Sequence, residues 1–448
     1  MNIAESVSAL SENTIPVSVR AALLKDLYRA ITAEQSRICK ALYQDLGKSE
    51  FESIATETSI VLEDLALFRK KLPAWTRSRR VSCSMLNWPA TGKLIPEPYG
   101  KALIFSAWNY PFQLMLSPFI AAIAAGNRVI LKPSEQASAT AEVIENLIDR
   151  VFPADIAKVI NGGQNIAEEL LQQPFDIMFY TGGINGGRCV AQAAARQMIP
   201  AVLELGGKSP CIADRDADIK LTAKRIVWGK FLNAGQTCVA PDYLFVHESI
   251  HQELLKQIQN CIRDFYGEDL ILSPDYSRIV NQHHFDRLLR LADGKISPEA
   301  CNREQRFIAP TIIDPALPDT PLMQEEIFGP ILPVMTFTGI RQVIDFIRSR
   351  EKPLALYYYG KENLDRVLRE TSSGSVCVNE CVTQLLNASM PFGGVGASGM
   401  GAYHGKWGFD TFSHLKPVMK KACWLDLPMR YPPGLAGKLW ILKLLTKK

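Results

Sequence analysis

Strong charge of either sign is missing from this sequence: 50 Lys and Arg stand against 46 Asp and Glu, a net charge of +4 over 448 residues. With no basic run to tilt that balance, composition excludes the electrostatic footprint of a nucleic-acid binder. Long apolar runs are missing too, since no uninterrupted stretch reaches the roughly 18–20 residues needed to span a bilayer. The opening residues, MNIAESVSALSE, lack the basic and apolar regions of a secretory leader, and the ten cysteines are scattered without a Cys-x-x-Cys pair. These absences predict a reducing, cytoplasmic setting. Cys377 and Cys381 stand four apart in SVCVNEC, but strand character puts them out of helical register and no second pair completes a zinc set, so no metal is expected. Internal repeats and low-complexity segments are likewise absent.

What is present is an apolar fraction of 47%, enough for a large core divided among two or three domains. Leu23, Leu24, Leu27, Ile31, Ile38, Leu42 and Leu46 recur at helical spacing and the pattern resumes after Phe51. That periodicity predicts two long amphipathic helices, over 17–48 and 51–72. RRVSCSMLNWPATGKLIPEPYG, punctuated by Pro89, Gly92, Pro96 and Pro98, reads as a projecting hairpin. From Lys101 the runs ALIFSA, RVILKP, KVIN, DIMFYT and AVLEL alternate with helical stretches, and YLFVHES, PTIID, ILPVMTF, LALYYYG and GSVCVN form a second such series. The expectation is α/β: two doubly wound domains meeting near residues 206–208, with parallel strands whose carboxyl ends face the ligands. The closing GLAGKLWILKLLTKK carries Trp440 between Lys438 and Lys443. Such a helix lies in a membrane interface or packs on its own body or a partner.

The chemistry centres on FLNAGQTCVAPDY, residues 231–243, which sets Cys238 on a Gly-Gln turn. A thiolate is a strong nucleophile at neutral pH, and backbone amides close by stabilise both it and a developing oxyanion. Alone, such a cysteine is usually a small core residue. Upstream, LELGGKSP places Glu204 at the end of an apolar run, where a carboxylate can activate water. FSAWNYPFQL ends a strand in a turn holding Asn109; LKPSE pairs Lys132 with Glu135; YTGGINGGR is a glycine-rich turn; EEIFGP holds Glu326 and Phe328. No histidine stands in a motif that would pair it with Cys238, which weighs against a thiol hydrolase.

Taken together, LELGGK followed by NAGQTC at this separation resembles the aldehyde dehydrogenase superfamily, and PFGGVGASGMGAYHGKWGFDTFSH, residues 391–414, is similar to its class 3 branch. The resemblance implies a cysteine nucleophile at Cys238, a base at Glu204 and an oxyanion asparagine at Asn109. It implies NAD as cofactor, with NADP an accepted alternative. Lys132 and Glu135 would hold the adenosine ribose, Thr181, Gly182, Gly183 and Gly187 the pyrophosphate, and Glu326 and Phe328 the nicotinamide half. Tyr110 and Trp108 are expected to line the aldehyde entrance. Within the glycine turn, Tyr180, Gly183 and Gly186 depart from the commoner Phe, Ser or Asn, and Val. The implied substrate is a medium- to long-chain or otherwise lipophilic aldehyde, with a semialdehyde or short aromatic aldehyde as the alternative and a silent membrane-associated scaffold as a third reading. The implied division is 1–78 with 99–206 for the cofactor, 207–402 for catalysis, 79–98 (the small β hairpin) and 403–425 as oligomerisation and bridging segments of a homodimer, and 426–448 as an amphipathic tail.

Overall fold

The N-terminal helices do not run as the periodicity predicts. In the computed structural model, which describes residues 3–84, 87–426, 431–433 and 436–446, the stretch 17–48 forms two helices, Val17–Ala33 and Gln35–Leu46, broken at Glu34. Glu34 leaves the helical region at φ −99°, ψ 8° and its carboxylate pairs with Arg150 at 2.9 Å and Arg37 at 3.6 Å. The spacing of apolar residues survives the break, which is why it left no mark on the pattern. The second helix is longer than expected and irregular: Glu50–Ser53 is α, Ile54–Thr58 a π turn, and Ser59–Trp75 α again. A π turn widens one helical turn by a residue and re-aims its side chains.

Two six-stranded sheets follow. The first runs in the order Gly399–Met400, Ala201–Glu204, Ile177–Thr181, Lys101–Phe105, Arg128–Lys132, Ala157–Val159. Its strands are parallel except for Gly399–Met400. The chain leaves Lys101–Phe105 toward one edge and returns on the other side at Ile177–Thr181, so the direction of winding reverses between these two strands. A crevice opens at that point in doubly wound sheets. The second sheet is parallel throughout, ordered Thr311–Ile313, Ile331–Phe337, Tyr243–His247, Pro210–Ala213, Ala355–Tyr359, Ser375–Val378. Pro210–Ala213 was not among the expected strands, because four residues opening on proline give too short a run to show a period.

Helix Pro111–Ala125 is buried at all fifteen positions. Its sequence PFQLMLSPFIAAIAA is apolar all round, as a helix sandwiched between layers must be. It starts at Pro111, the position where proline's missing N–H costs nothing. The hairpin of Arg79–Val81 and Ala90–Pro98 is extended into one small antiparallel sheet by Ser413–Lys421, which pairs with Ala90–Pro98 over nine residues. No helix among the described residues is long and apolar enough to cross a membrane.

Candidate active site

The motifs meet at the carboxyl ends of the first sheet because strand register puts them there. Phe105 pairs with Lys132 on one side and Tyr180 on the other, and Thr181 pairs with Glu204. The loops that leave these strands carry Asn109, Glu135, the glycine turn and the LELGGK segment.

Cys238 follows a backbone held in an unusual shape. Asn233, Ala234 and Gly235 take φ of 52°, 51° and 74°, a left-handed run that costs about 1–3 kcal/mol for each non-glycine residue. Local bonds hold it in place: Gln236 Nε2 donates to Asn233 O at 3.0 Å and Arg278 O at 2.9 Å, and Gln236 Oε1 accepts from Val280 N at 2.9 Å. A Cβ on Gly235 would fall 2.3 Å from Gly329 O, so only glycine lets the EEIFGP loop close on the cysteine loop. Asn109 is buried, and its Nδ2 donates to Gln236 O at 3.0 Å. One amide hydrogen of Asn109 is thereby used, and the second is left for a ligand.

Burial pushes three ionisable groups of the site upward. Burial, then Glu326 and Glu204, push the Cys238 thiol up to about 12, against the opposing pull of the Cys238 and Val239 backbone N–H groups. Glu204 is buried with both oxygens unpartnered, and burial alone drives its carboxyl well above the usual range. Glu326 is pushed up to about 7 by burial and Asp242, with the Gly207 amide, Lys208 and Arg287 opposing. A Cβ on Gly206 would sit 2.2 Å from Glu326 Oε2, which brings that carboxyl against the LELGGK segment. In the protein without cofactor, alkylation of Cys238 by iodoacetamide is therefore expected to accelerate about tenfold per pH unit between roughly pH 7 and 10. Mass-spectrometric rate measurements check this, and a plateau below about pH 9 would contradict it.

On the cofactor side, Lys132 is buried and donates to Pro133 O at 2.8 Å and Glu135 Oε2 at 3.3 Å. Helix Ile184–Gln197 begins at Gly183 with no side chain capping it, and nothing lies within 4 Å of where a Gly183 Cβ would be. Uncapped N–H groups beside open space suit an anion. Gly187 approaches Leu205, where a Cβ would meet Cδ2 at 2.7 Å. The Tyr180 hydroxyl folds over the turn onto Gly183 O at 3.2 Å, filling the space above Gly182 and Gly186. The departures at 180 and 186 thus compensate each other. Phe328 is held at φ 52° and meets Trp108 edge-on at 5.3 Å.

Trp108 corrects one expectation. It lies between Phe328, met edge-on, and His284, met at a tilt, rather than in the wall of the large cavity, which Tyr110 does line. That cavity has a volume of about 670 Å³ and ends on Cys238. Ile60, Leu114, Trp228, Leu385 and Phe392 are among its apolar lining; its carboxyls are Glu52 and Asp275, and among the described residues no arginine or lysine lines it.

The sequence pattern that defines the aldehyde dehydrogenase family matches residues 2–418. The chain belongs to that family. This aldehyde dehydrogenase is 44% identical over 443 residues to 4,4'-diaponeurosporen-aldehyde dehydrogenase of Staphylococcus aureus, covering 98% of this chain and 96% of that one. It is 41% identical over 430 residues to the mouse "aldehyde dehydrogenase, dimeric NADP-preferring", covering 95% of each. A solved structure of Staphylococcus aureus AldH in a substrate-bound state matches with a TM-score of 0.97 at 43% identity over the whole of both chains. The enzyme is an NAD(P)-dependent aldehyde dehydrogenase.

Several residues of the aldehyde dehydrogenase site carry no sequence signal strong enough to find. Lys208 ion-pairs with Asp242 and donates to Leu322 O at 2.9 Å and Glu325 O at 2.7 Å, which anchors the loop of Glu326. His404 and Tyr403 line the cavity from the far end of the chain, and burial pushes His404 down to about 4. Lys48 and Glu57 form a fully buried ion pair at 2.5 Å beneath Asn109. Removing one partner of such a pair costs about 3–5 kcal/mol because the other charge is left stranded.

Proposed function

We propose that the enzyme oxidises medium- to long-chain or other lipophilic aldehydes to carboxylic acids, with Cys238, Asn109 and Glu204 carrying the reaction. The apolar cavity ending on Cys238 carries the substrate reading. Its two carboxyls and lack of a cation weigh against an anionic semialdehyde. The name of the Staphylococcus aureus relative, a dehydrogenase of a diaponeurosporen aldehyde, points the same way.

In this reading Cys238 Sγ attacks the aldehyde carbon, and the oxygen that gains charge is held by the free Asn109 amide hydrogen and the Cys238 backbone N–H. NAD(P) supplies the hydride acceptor when bound. Cys238 then carries the acyl group as a thioester, and Glu204, once ionised, takes a proton from the water that attacks it. Lys132 and Glu135 would hold the adenosine ribose, and the start of helix Ile184–Gln197, with Thr181, Gly182, Gly183 and Gly187, the pyrophosphate. Glu326 would hold the nicotinamide ribose, and Phe328 the ring. Glu135 favours NAD by repelling a 2′-phosphate, yet it is half exposed and free to turn away, which admits NADP.

The cofactor half in this reading is 1–78 with 99–206 and the catalytic half 207–402. The small sheet is the dimer surface, because its outer strand Ser413–Lys421 exposes Leu415 and Met419, and an open apolar edge invites pairing. The tail helix Ala436–Thr446 exposes Leu439, Trp440 and Leu444 and is proposed to rest in a membrane interface. The rest of the expected tail, at 427–430, 434–435 and 447–448, lies outside the described residues.

Across linear aldehydes, kcat/KM is expected to rise by up to about fourfold per methylene, the equivalent of about 0.8 kcal/mol of transfer free energy, until the cavity is full. Truncation after Pro433 is expected to flatten that rise for substrates presented in lipid vesicles. Preference for short or charged aldehydes would overturn the substrate reading, and an unchanged profile after truncation would overturn the role of the tail.

A further inference from the structure

The buried pair Lys48–Glu57 is left without a task by the reaction as described, although it touches the active-site turn at every point. Glu57 Oε1 accepts from Lys48 Nζ at 2.5 Å; Glu57 Oε2 accepts from Phe112 N at 3.1 Å and Gln113 N at 2.9 Å. Its oxygens receive three donors and offer a proton to none, the pattern of a carboxylate at a helix N-terminus. Lys48 Nζ donates in turn to Asn109 O at 2.9 Å and lies 3.9 Å above the Tyr110 ring. Asn233 Nδ2, from the cysteine loop, donates to the same Asn109 carbonyl at 2.8 Å.

We infer that Lys48 and Glu57 are positioning residues that fix the Asn109 peptide, and with it the direction of the Asn109 side chain, against the loop of Cys238. The inference rests on the reading of Asn109 as the oxyanion donor. Three observations favour it over a role in packing alone. A buried ion pair contributes little stability compared with an apolar pair of the same shape, so packing by itself does not call for one. The helix bearing Glu57 departs from α geometry only at Ile54–Thr58, and Glu57 lies inside that turn. Every donor and acceptor of the pair belongs to the pair itself or to residues 109–113, so the whole device bears on one turn. Because the two charges cancel, the pair orients the donor without adding net charge beneath the developing oxyanion.

The test is a double-mutant cycle on acylation of Cys238 by p-nitrophenyl acetate without cofactor. In that reaction the ester carbonyl carbon bonds to sulfur, nitrophenolate leaves with the ester electrons, and the thiol proton passes to solvent. The variants are Lys48→Met/Glu57→Gln, which removes both charges together and strands neither, Asn109→Ala, and their combination; the thermal midpoint of each is measured alongside. The paired change is expected to slow the acylation rate constant by roughly 10- to 100-fold, the penalty for misplacing a reacting geometry. Added to Asn109→Ala, it is expected to cost less than about twofold, since no side chain remains to be aimed. An equal slowing in both backgrounds, or none in either, overturns the proposal whatever the thermal midpoint does. If the paired variant fails to fold, Lys48→Arg takes its place in the cycle under the same criteria, because a broader guanidinium keeps the charge but displaces the bond to Asn109 O. Should Asn109→Ala leave acylation unchanged, the oxyanion reading itself fails, a result distinct from additivity.

Discussion

With Cys238 replaced by serine, NADH formation from any aldehyde is expected to fall by roughly 10⁴-fold or more, the scale on which loss of a covalent nucleophile acts. The reason lies in the environment as much as in the atom. Burial and two neighbouring carboxyls already hold the native thiol up to about 12, so the site discourages a bare anion and relies on the reactivity of sulfur to proceed. An alcohol starts several units higher and inherits the same penalty. Binding of NAD, followed by fluorescence, is expected to stay within about twofold of the native value, because the substitution is close in size and creates no new charge. Retained turnover in Cys238→Ser would remove Cys238 from the mechanism; lost cofactor binding would show that the serine disturbs the fold of the loop.

Glu204→Gln is expected to separate the two halves of the reaction. The rapid burst of NADH should persist near its native amplitude, while steady turnover falls by roughly 100-fold or more, the contribution typical of a positioned general base. Burial drives the native Glu204 carboxyl well above the usual carboxylate range, so hydrolysis-limited turnover should rise with pH as the base form appears. Stopped-flow and steady-state rates on the same preparation decide the matter. Loss of both burst and turnover would place Glu204 in the first half instead. Intact turnover in Glu204→Gln would remove Glu204 from the hydrolytic step.

Much of this enzyme is legible from its sequence. Alternation of short apolar runs with helical stretches determines a parallel sheet, since parallel strands need crossovers and sheets covered on both faces need apolar strands. The strands that a period-two or continuous apolar run announces are present, and Cys238, Glu204, Asn109, Lys132 and Glu326 stand out as candidates because each ends such a run or sits in a short motif. What escaped was short or depended on distance. The four residues of Pro210–Ala213 hold no measurable period, and the break at Glu34 preserves the spacing on which a helix is recognised.

Only the tertiary structure decided which groups stand around the sulfur. Lys48 and Glu57 read in sequence as ordinary polar residues of amphipathic helices, yet they are fully buried, because a π turn and the start of the Pro111–Ala125 helix bring them beneath Asn109. Trp108 and Tyr110 flank Asn109, yet the first meets Phe328 and His284 while the second lines the cavity. His404 and Tyr403 reach the cavity across more than 160 residues from Cys238. Sequence determines the local conformations and their chemical kinds, because these follow from neighbours along the chain. Burial, the upward push it exerts on the carboxyls and thiol, and the apolar cavity beside Cys238 arise only when distant segments exclude water together.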